Sequence, residues 1–289
     1  MRATYLLDTV GPVRSRRGAH VELNKLSGTA VITGASSGIG AAYALELARR
    51  GLRPVLVARR QGLLEEVAAR IHQVTGVTCE IWKADLSRRH QVEEVAVKLE
   101  AIPDLSMLVN NAGLGLVGKF DCTDAATHAG TLELHVVAPT LLSRAALPGM
   151  LMRGCGAIVF TASVAAFFWL PDNVNYCTTK AFDVMLADCL AQEVRGTGVA
   201  VQALCPGFVR TEFHDRLGPE WERIRRLPRS LWLSPEQVVA ASLAGLERDR
   251  PLVVTGLPYR LLAALGRQPL LRPTLRAATR IWHRRTACP

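Results

Sequence analysis

The 289-residue chain has no C-x-x-C pair, and its seven cysteines (Cys79, Cys122, Cys155, Cys177, Cys189, Cys205 and Cys288) are odd in number and scattered. That argues against a zinc site and a disulfide framework, and it fits a reducing, cytoplasmic compartment. No run of about 20 uncharged apolar residues occurs, so no membrane-spanning helix is expected. Asp8, Gly11 and Pro12 interrupt the first residues, so a secretory leader is not expected either. Acids are missing from one end: from Pro251 onward there are seven arginines (Arg260, Arg267, Arg272, Arg276, Arg280, Arg284 and Arg285) and no Asp, Glu or Lys. Of the net charge of +10, that tail carries +7 and the rest only +3, which argues against a nucleic-acid-binding body. Hydrophobic residues make up 49%, ample for a core without staples.

What is present alternates. Short apolar runs fall near 29–33, 54–58, 78–82, 106–110, 156–162, 198–204 and 251–255, with helical spacing near 39–50, 62–74, 88–101, 124–152, 174–195 and 235–248. Such alternation reads as an α/β protein, a parallel sheet covered on both faces. Ligands in such sheets bind outside the carboxyl ends of the strands. Residues 1–25 lack periodicity, and Arg14, Arg16 and Arg17 cluster there, so they read as a flexible arm or a basic contact segment. A body over 26–256 follows, then a basic amphipathic tail over 257–289.

Four stretches of the body carry chemistry. Thr33-Gly34-Ala35-Ser36-Ser37-Gly38-Ile39-Gly40 joins an apolar strand to an apolar-periodic helix. Glycines there let the backbone approach a pyrophosphate, and the helix start offers N–H groups and a positive dipole end. Asn110-Asn111-Ala112-Gly113 follows another apolar strand, and Ser163 follows a third. Tyr176 and Lys180 lie four apart, on one helix face, with roughly 5–6 Å between Cβ atoms. At that range the ammonium favours the phenolate, drawing a group of ordinary pKa about 10 toward neutrality. The second strand ends in Ala58-Arg59-Arg60, with no acid. An acid there binds the 2′-hydroxyl of NAD whereas arginine accommodates a 2′-phosphate, so NADP(H) is the expected cofactor.

Together these motifs resemble the short-chain dehydrogenase/reductase family from about Leu26 to about Gly256. The resemblance is nearest to bacterial general reductases with a Pro-Gly-x-x-x-Thr-Glu-Phe segment, here Pro206 to Phe213, and a basic tail. It implies one Rossmann-like doubly wound domain of about seven parallel strands, in the order 3-2-1-4-5-6-7. It also implies hydride transfer between NADP(H) and a carbonyl/alcohol pair. Tyr176 would be the general acid/base, Ser163 a donor to the carbonyl oxygen, and Lys180 would act on both Tyr176 and the nicotinamide ribose. The cofactor would lie against Gly34, Ser36, Ser37, Gly38, Ile39 and Gly40, with Arg59 and Arg60 at the 2′-phosphate. Asp85 and Leu86 would meet the adenine end, and Asn111, Ala112 and Gly113 would run along the dinucleotide. Pro206, Gly207, Val209 and Thr211 would face the nicotinamide and phosphates. No metal is implied. A homodimer or homotetramer through the helices at 124–152 and 174–195 is.

One position departs from the pattern: His135 stands where the long helix of the family carries an Asn linked to a proton path. Imidazole donates and accepts like an amide, but its nitrogens sit further out. A working substitute, a relay with an altered pH response and a crippled enzyme all remain open. The last would leave a non-catalytic dinucleotide-binding sensor or subunit. The stretch 208–233 is the expected substrate lid. Its part from His214 on holds Trp221, Trp232, Arg216, Arg223, Arg225, Arg226 and Arg229, and reads as a basic surface loop or as a cover for an apolar substrate with an anionic group. Ala165 to Leu170 either lines an apolar pocket or packs in the core. Arg272, Arg276, Arg280 and Arg284 recur at every fourth residue beside Leu271, Leu275, Ala278, Ile281 and Trp282. A helix of that kind docks on the body or a partner subunit, or lies in a membrane surface. Hydrophobic ketones and 3-oxoacyl thioesters would suit an apolar lining, and the sequence does not choose between them.

Overall fold

The computed structural model describes residues 26–213, 225–271, 273–277 and 279. The arm over 1–25 lies outside them, as do Arg216, Trp221 and Arg223 of the lid and Arg272, Ala278, Arg280, Ile281, Trp282 and Arg284 of the tail. Seven strands, β1 (Thr29–Thr33), β2 (Arg53–Ala58), β3 (Glu80–Lys83), β4 (Leu105–Asn110), β5 (Gly156–Thr161), β6 (Val199–Cys205) and β7 (Leu252–Val254), form one sheet. Every pairing is parallel and the order is β3-β2-β1-β4-β5-β6-β7, as the resemblance implies.

The central strands β1, β4, β5 and β6 are buried along their whole length because both faces are covered. Alternate residues serve opposite cores: Ala30, Ile32, Met107, Val109 and Val159 face one side, Val31, Leu108, Ile158 and Phe160 the other. The first core is closed by α1 (Gly38–Arg49), α2 (Gln61–Thr75) and α7 (Pro235–Leu246), through Tyr43, Leu47, Leu64, Ile71 and Leu243. The second is closed by α3 (Arg89–Glu100), α5 (Ala138–Arg153) and α6 (Val174–Glu193), through Val92, Leu99, Leu142, Met150 and Ala187. Truncating a fully buried leucine such as Leu142 to Ala would cost about 2–5 kcal/mol.

Helix α4 (Ala125–Leu132) runs through a π-helical turn, Glu133–Val137, into α5. Pro139 explains the wider turn: it has no N–H for the carbonyl of His135, and its ring crowds that carbonyl. The combined helix Ala125–Arg153 is long and apolar enough to cross a bilayer by composition, a length the expected lack of such a run did not anticipate. Its Ala138, Leu142, Ala145 and Met150 are buried in the second core, so here it is an interior helix.

Beyond Gly256 the chain continues against the body. Helix α8 (Leu257–Arg267) packs on the body: Tyr259 and Ala263 are buried, and the Tyr259 hydroxyl donates to the Leu231 carbonyl at 2.6 Å. The acid-free tail therefore begins inside the folded domain.

Candidate active site

The chain leaves β1 toward β2 on one side and β4 leads toward β5 on the other, so a crevice opens outside their carboxyl ends. The glycine turn closes it tightly. A Cβ on Gly40 would stand 2.3 Å from the Gly34 carbonyl oxygen, so no other residue fits there without displacing the turn. Asn111 clamps the turn to β4, its amide donating to the carbonyls of Thr33 (3.0 Å) and Gly34 (3.4 Å). That amide is spent on holding the turn; the backbone, not the side chain, is left to run along a ligand. Thr33 completes the clamp by accepting from the N–H groups of Asn111 and Ala112, both at 2.9 Å. Ser37 caps α1 in position but not with its hydroxyl, leaving the helix start open to an anion.

Arg60 reaches the same turn, donating to the hydroxyls of Ser36 (3.2 Å) and Ser37 (3.1 Å). Its other nitrogen holds Glu212 at 2.9 Å. Arg59 stands 3.8 Å from Asp85. Burial pushes the Asp85 carboxyl up, but bonds from Ser87 and the nearby Arg59 and Arg88 outweigh it and hold the acid below its usual range. Leu86 is buried at the edge of the crevice. A guanidinium, two hydroxyls and a helix start converge here, a donor set that suits a phosphate group. Thr211 seals the turn from outside, with its methyl against Gly38.

Ser163, Tyr176 and Lys180 come together. Ser163 ends β5 and its hydroxyl accepts from the Ala165 N–H at 3.2 Å. It faces the Tyr176 hydroxyl closely enough to lower that phenol, whose ring is half-buried and flanked by His135 (6.2 Å between centroids, edge-on) and Phe213 (5.9 Å). Lys180 is buried and donates to the Thr161 carbonyl at 2.8 Å and to Asp183 at 3.0 Å. The expected acidification of Tyr176 does not follow from this geometry. Burial raises the phenol, the charge of Lys180 and then Ser163 oppose it, and Cys177 and Asp183 raise it again, so the net direction is upward. Burial would lower the Lys180 ammonium, but Asp183 and Tyr176 more than compensate and keep it charged.

His135 is locked. Its Nε2 accepts from the Leu114 N–H at 2.9 Å, and its Nδ1 lies 3.0 Å from the Thr179 hydroxyl. Thr179 itself donates to the Asn175 carbonyl at 2.7 Å, so Nδ1 carries the proton. Burial, and then the charge of Lys180, push this imidazole well below 6.5. Both push it toward the neutral form. A cavity of about 10 Å³ lies between His135, Asn110, Lys180 and Asp183, room for about one water. The Asn110 side-chain oxygen and the Thr161 hydroxyl nearby are buried without a partner among the described residues.

The outer wall comes from two segments. The Pro206 carbonyl accepts from the Val164 N–H at 3.0 Å, and Gly207 lies flat on the Tyr259 ring. Val209 is buried and pairs with Leu233 in a parallel bridge, so the described end of the lid folds back on the Pro-Gly segment. Phe208 stacks near Trp232 at 5.4 Å. Beyond Ser163, a cavity of about 380 Å³ is lined by Phe167, Phe168, Trp169, Gly266, Arg267 and Arg276, with Arg276 over the Trp169 ring at 4.7 Å. Ala165 is buried, whereas Phe167 to Trp169 line this cavity. Sequence reasoning missed Asp183, Glu212 and the contribution of α8. Only the spacing of Asp183, three residues after Lys180 on a helix, carried a signal.

The family model for short chain dehydrogenase matches residues 28–221. The very-long-chain 3-oxoacyl-CoA reductase of Bos taurus is 30% identical over 198 residues, which cover 67% of this chain and 63% of that protein. A short-chain dehydrogenase from Sphingobium yanoikuyae, solved in complex with NADPH, has a TM-score of 0.73 at 32% identity, covering 91% of this chain and 96% of its own. A short chain dehydrogenase/reductase from Burkholderia phymatum, solved with NAD, has a TM-score of 0.73 at 27% identity, covering 83% and 93%.

Proposed function

This chain belongs to the short chain dehydrogenase family, and from that premise we propose that it is an NADP(H)-dependent oxidoreductase reducing the carbonyl of an apolar substrate. The observation that carries the proposal is the buried Lys180 ammonium, held by the Thr161 carbonyl at the carboxyl end of β5 beside the crevice, with Tyr176 one helical turn before it and Ser163 two residues beyond Thr161. When bound, the nicotinamide supplies or takes the hydride. Ser163 and Tyr176 aim two hydroxyls at the substrate oxygen, where charge develops, and Tyr176 gives it a proton. Lys180 stays an ammonium throughout, steadying the phenolate left behind.

NADP(H) is favoured over NAD(H) by Arg60, whose guanidinium already bonds the turn serines, and by the lack of an acid at Ala58. A relative solved with NADPH supports the same choice, while another was solved with NAD. An apolar substrate is supported by the aromatic cavity after Ser163, and by the very-long-chain 3-oxoacyl thioester named for the bovine relative. Exposed Met152 on α5 and Met185 on α6 support a homodimer or homotetramer through those helices. His135 fits between Leu114 and Thr179 without displacing Ser163, Tyr176 or Lys180, which counts against a non-catalytic scaffold.

The test is consumption of NADPH and of NADH against a panel of long-chain and aromatic ketones. The proposal expects turnover with NADPH, and a loss of about a hundredfold or more in Tyr176→Phe with cofactor binding kept. Tyr176→Phe as active as the wild type would refute the role given to the phenol.

A further inference from the structure

Helix α8 has three faces. Tyr259, Ala263 and Gly266 turn toward the body. Leu257, Leu261 and Leu265 recur every four residues on another side and are 66%, 60% and 45% exposed. Arg260 and Arg267 occupy the flank between, and exposed Leu262 and Leu270 widen the apolar strip. Single exposed leucines need no explanation, but an aligned row of them beside arginines is a contiguous apolar face.

We propose that α8 docks this protein on an anionic lipid surface, with its leucine row among the acyl chains and Arg260, Arg267 and Arg276 among the phosphates. Charge decides the occupant. From Pro251 to the end the sequence holds seven arginines and no acid, so the segment that carries the strip bears one sign only. A second copy packed face to face would set arginine against arginine, because a two-fold contact pairs the same patch with itself. Among the described residues none of these three arginines is held in an ion pair. Anionic headgroups supply the missing charge, and acyl chains cover the leucines, as for helices that lie in the interface plane.

The position gives the contact a use. Gly266 packs so close to Phe167 that a Cβ there would stand 2.6 Å from its carbonyl oxygen, and Arg267 lines the aromatic cavity that follows Ser163. On the reading of an apolar substrate given above, a lipid-borne ketone would meet the protein beside its own pocket. The docking claim itself does not need that reading, because it is measured without turnover.

The experiment is sedimentation of the full chain with phosphatidylcholine vesicles, with and without phosphatidylglycerol, at rising salt. The wild type should pellet with the anionic vesicles and be released by salt. Leu257→Ser/Leu261→Ser/Leu265→Ser should weaken binding at least about a hundredfold. Arg260→Gln/Arg267→Gln/Arg276→Gln should weaken it by roughly two orders of magnitude, about fivefold per charge. The replaced leucines are exposed, so an unchanged melting curve would confirm that the serine variant is folded. Failure to pellet with either vesicle, or binding untouched by the leucine variant, would overturn the proposal. So would a lipid-free dimer, seen by light scattering, that the leucine variant dissolves, for the row would then belong to a second copy.

Discussion

Lys180 and Asp183 form a buried ion pair one turn apart on α6, Nζ to Oδ2 3.0 Å, with Lys180 6% and Asp183 3% exposed. The acid sits behind the ammonium that faces Tyr176. The ammonium therefore acts on both a carboxylate and a phenol, and the carboxylate offsets part of its effect on the phenol. His135, Cys177 and Cys205 are the other titratable groups around the pair, and burial holds each of them neutral.

Asp183→Asn should shift the pH profile of the reaction toward acid. Reduction needs Tyr176 protonated, and the Asp183 charge raises that phenol. Without it, Lys180 acts uncompensated and the phenol falls, so ketone reduction fails at a lower pH while alcohol oxidation begins at a lower pH. The two limbs, measured as kcat/KM against pH in each direction, should move together. Asp183→Leu leaves a buried ammonium without its carboxylate and should cost about 3–5 kcal/mol in urea unfolding.

His135 should contribute no inflection between pH 5 and 8. A buried imidazole pushed well below 6.5 is neutral across that window, and both its nitrogens are engaged. His135→Asn should leave turnover similar or raise it, since an amide also donates and accepts. His135→Leu strands the Leu114 N–H and should cost about 1–3 kcal/mol. A profile of His135→Asn that loses a limb near 6.5 would show that the imidazole titrates after all.

Arg60 is shared between the turn serines and Glu212, and the two partners have opposite consequences. Arg60→Gln should raise the Kd for NADPH at least about tenfold, the loss of a charge-assisted bond, and change that for NADH little. Glu212→Gln frees the guanidinium. The pair is exposed, so NADPH affinity should rise by no more than about fivefold. Fluorescence titration of the reduced cofactors reads both.

The strands and the motifs were legible because each has a local signature. Val31 to Ile32 and Met107 to Val109 are apolar runs whatever surrounds them, and the Gly34 to Gly40 turn is set by backbone reach. What depended on burial was not legible. Tyr176 and Lys180 could be placed on one helix face from their spacing, but whether desolvation or charge wins at the phenol depends on what packs around it. Asp183 looked like a polar residue on an ordinary helix; only the packing of α6 on β5 and β6 turns it inward. The packing of α8 was not legible either, because it rests on Tyr259, whose ring covers Gly207 and whose hydroxyl ties the helix to the Leu231 carbonyl.

Gly266→Ala tests whether α8 belongs to the site. A Cβ there would stand 2.6 Å from the Phe167 carbonyl oxygen and 3.0 Å from its Cβ, too close for either, and the first is backbone that cannot rotate away. Helix α8 must move off the segment that follows Ser163, and overpacking of this kind costs about 1–3 kcal/mol. The glycine turn is held instead by Asn111, Thr33 and Arg60, none of which belongs to α8 or to the segment after Ser163. The KM for an apolar ketone should therefore rise several-fold while the Kd for NADPH stays within about twofold. Equal losses in both would mean that α8 supports the whole fold rather than the substrate wall.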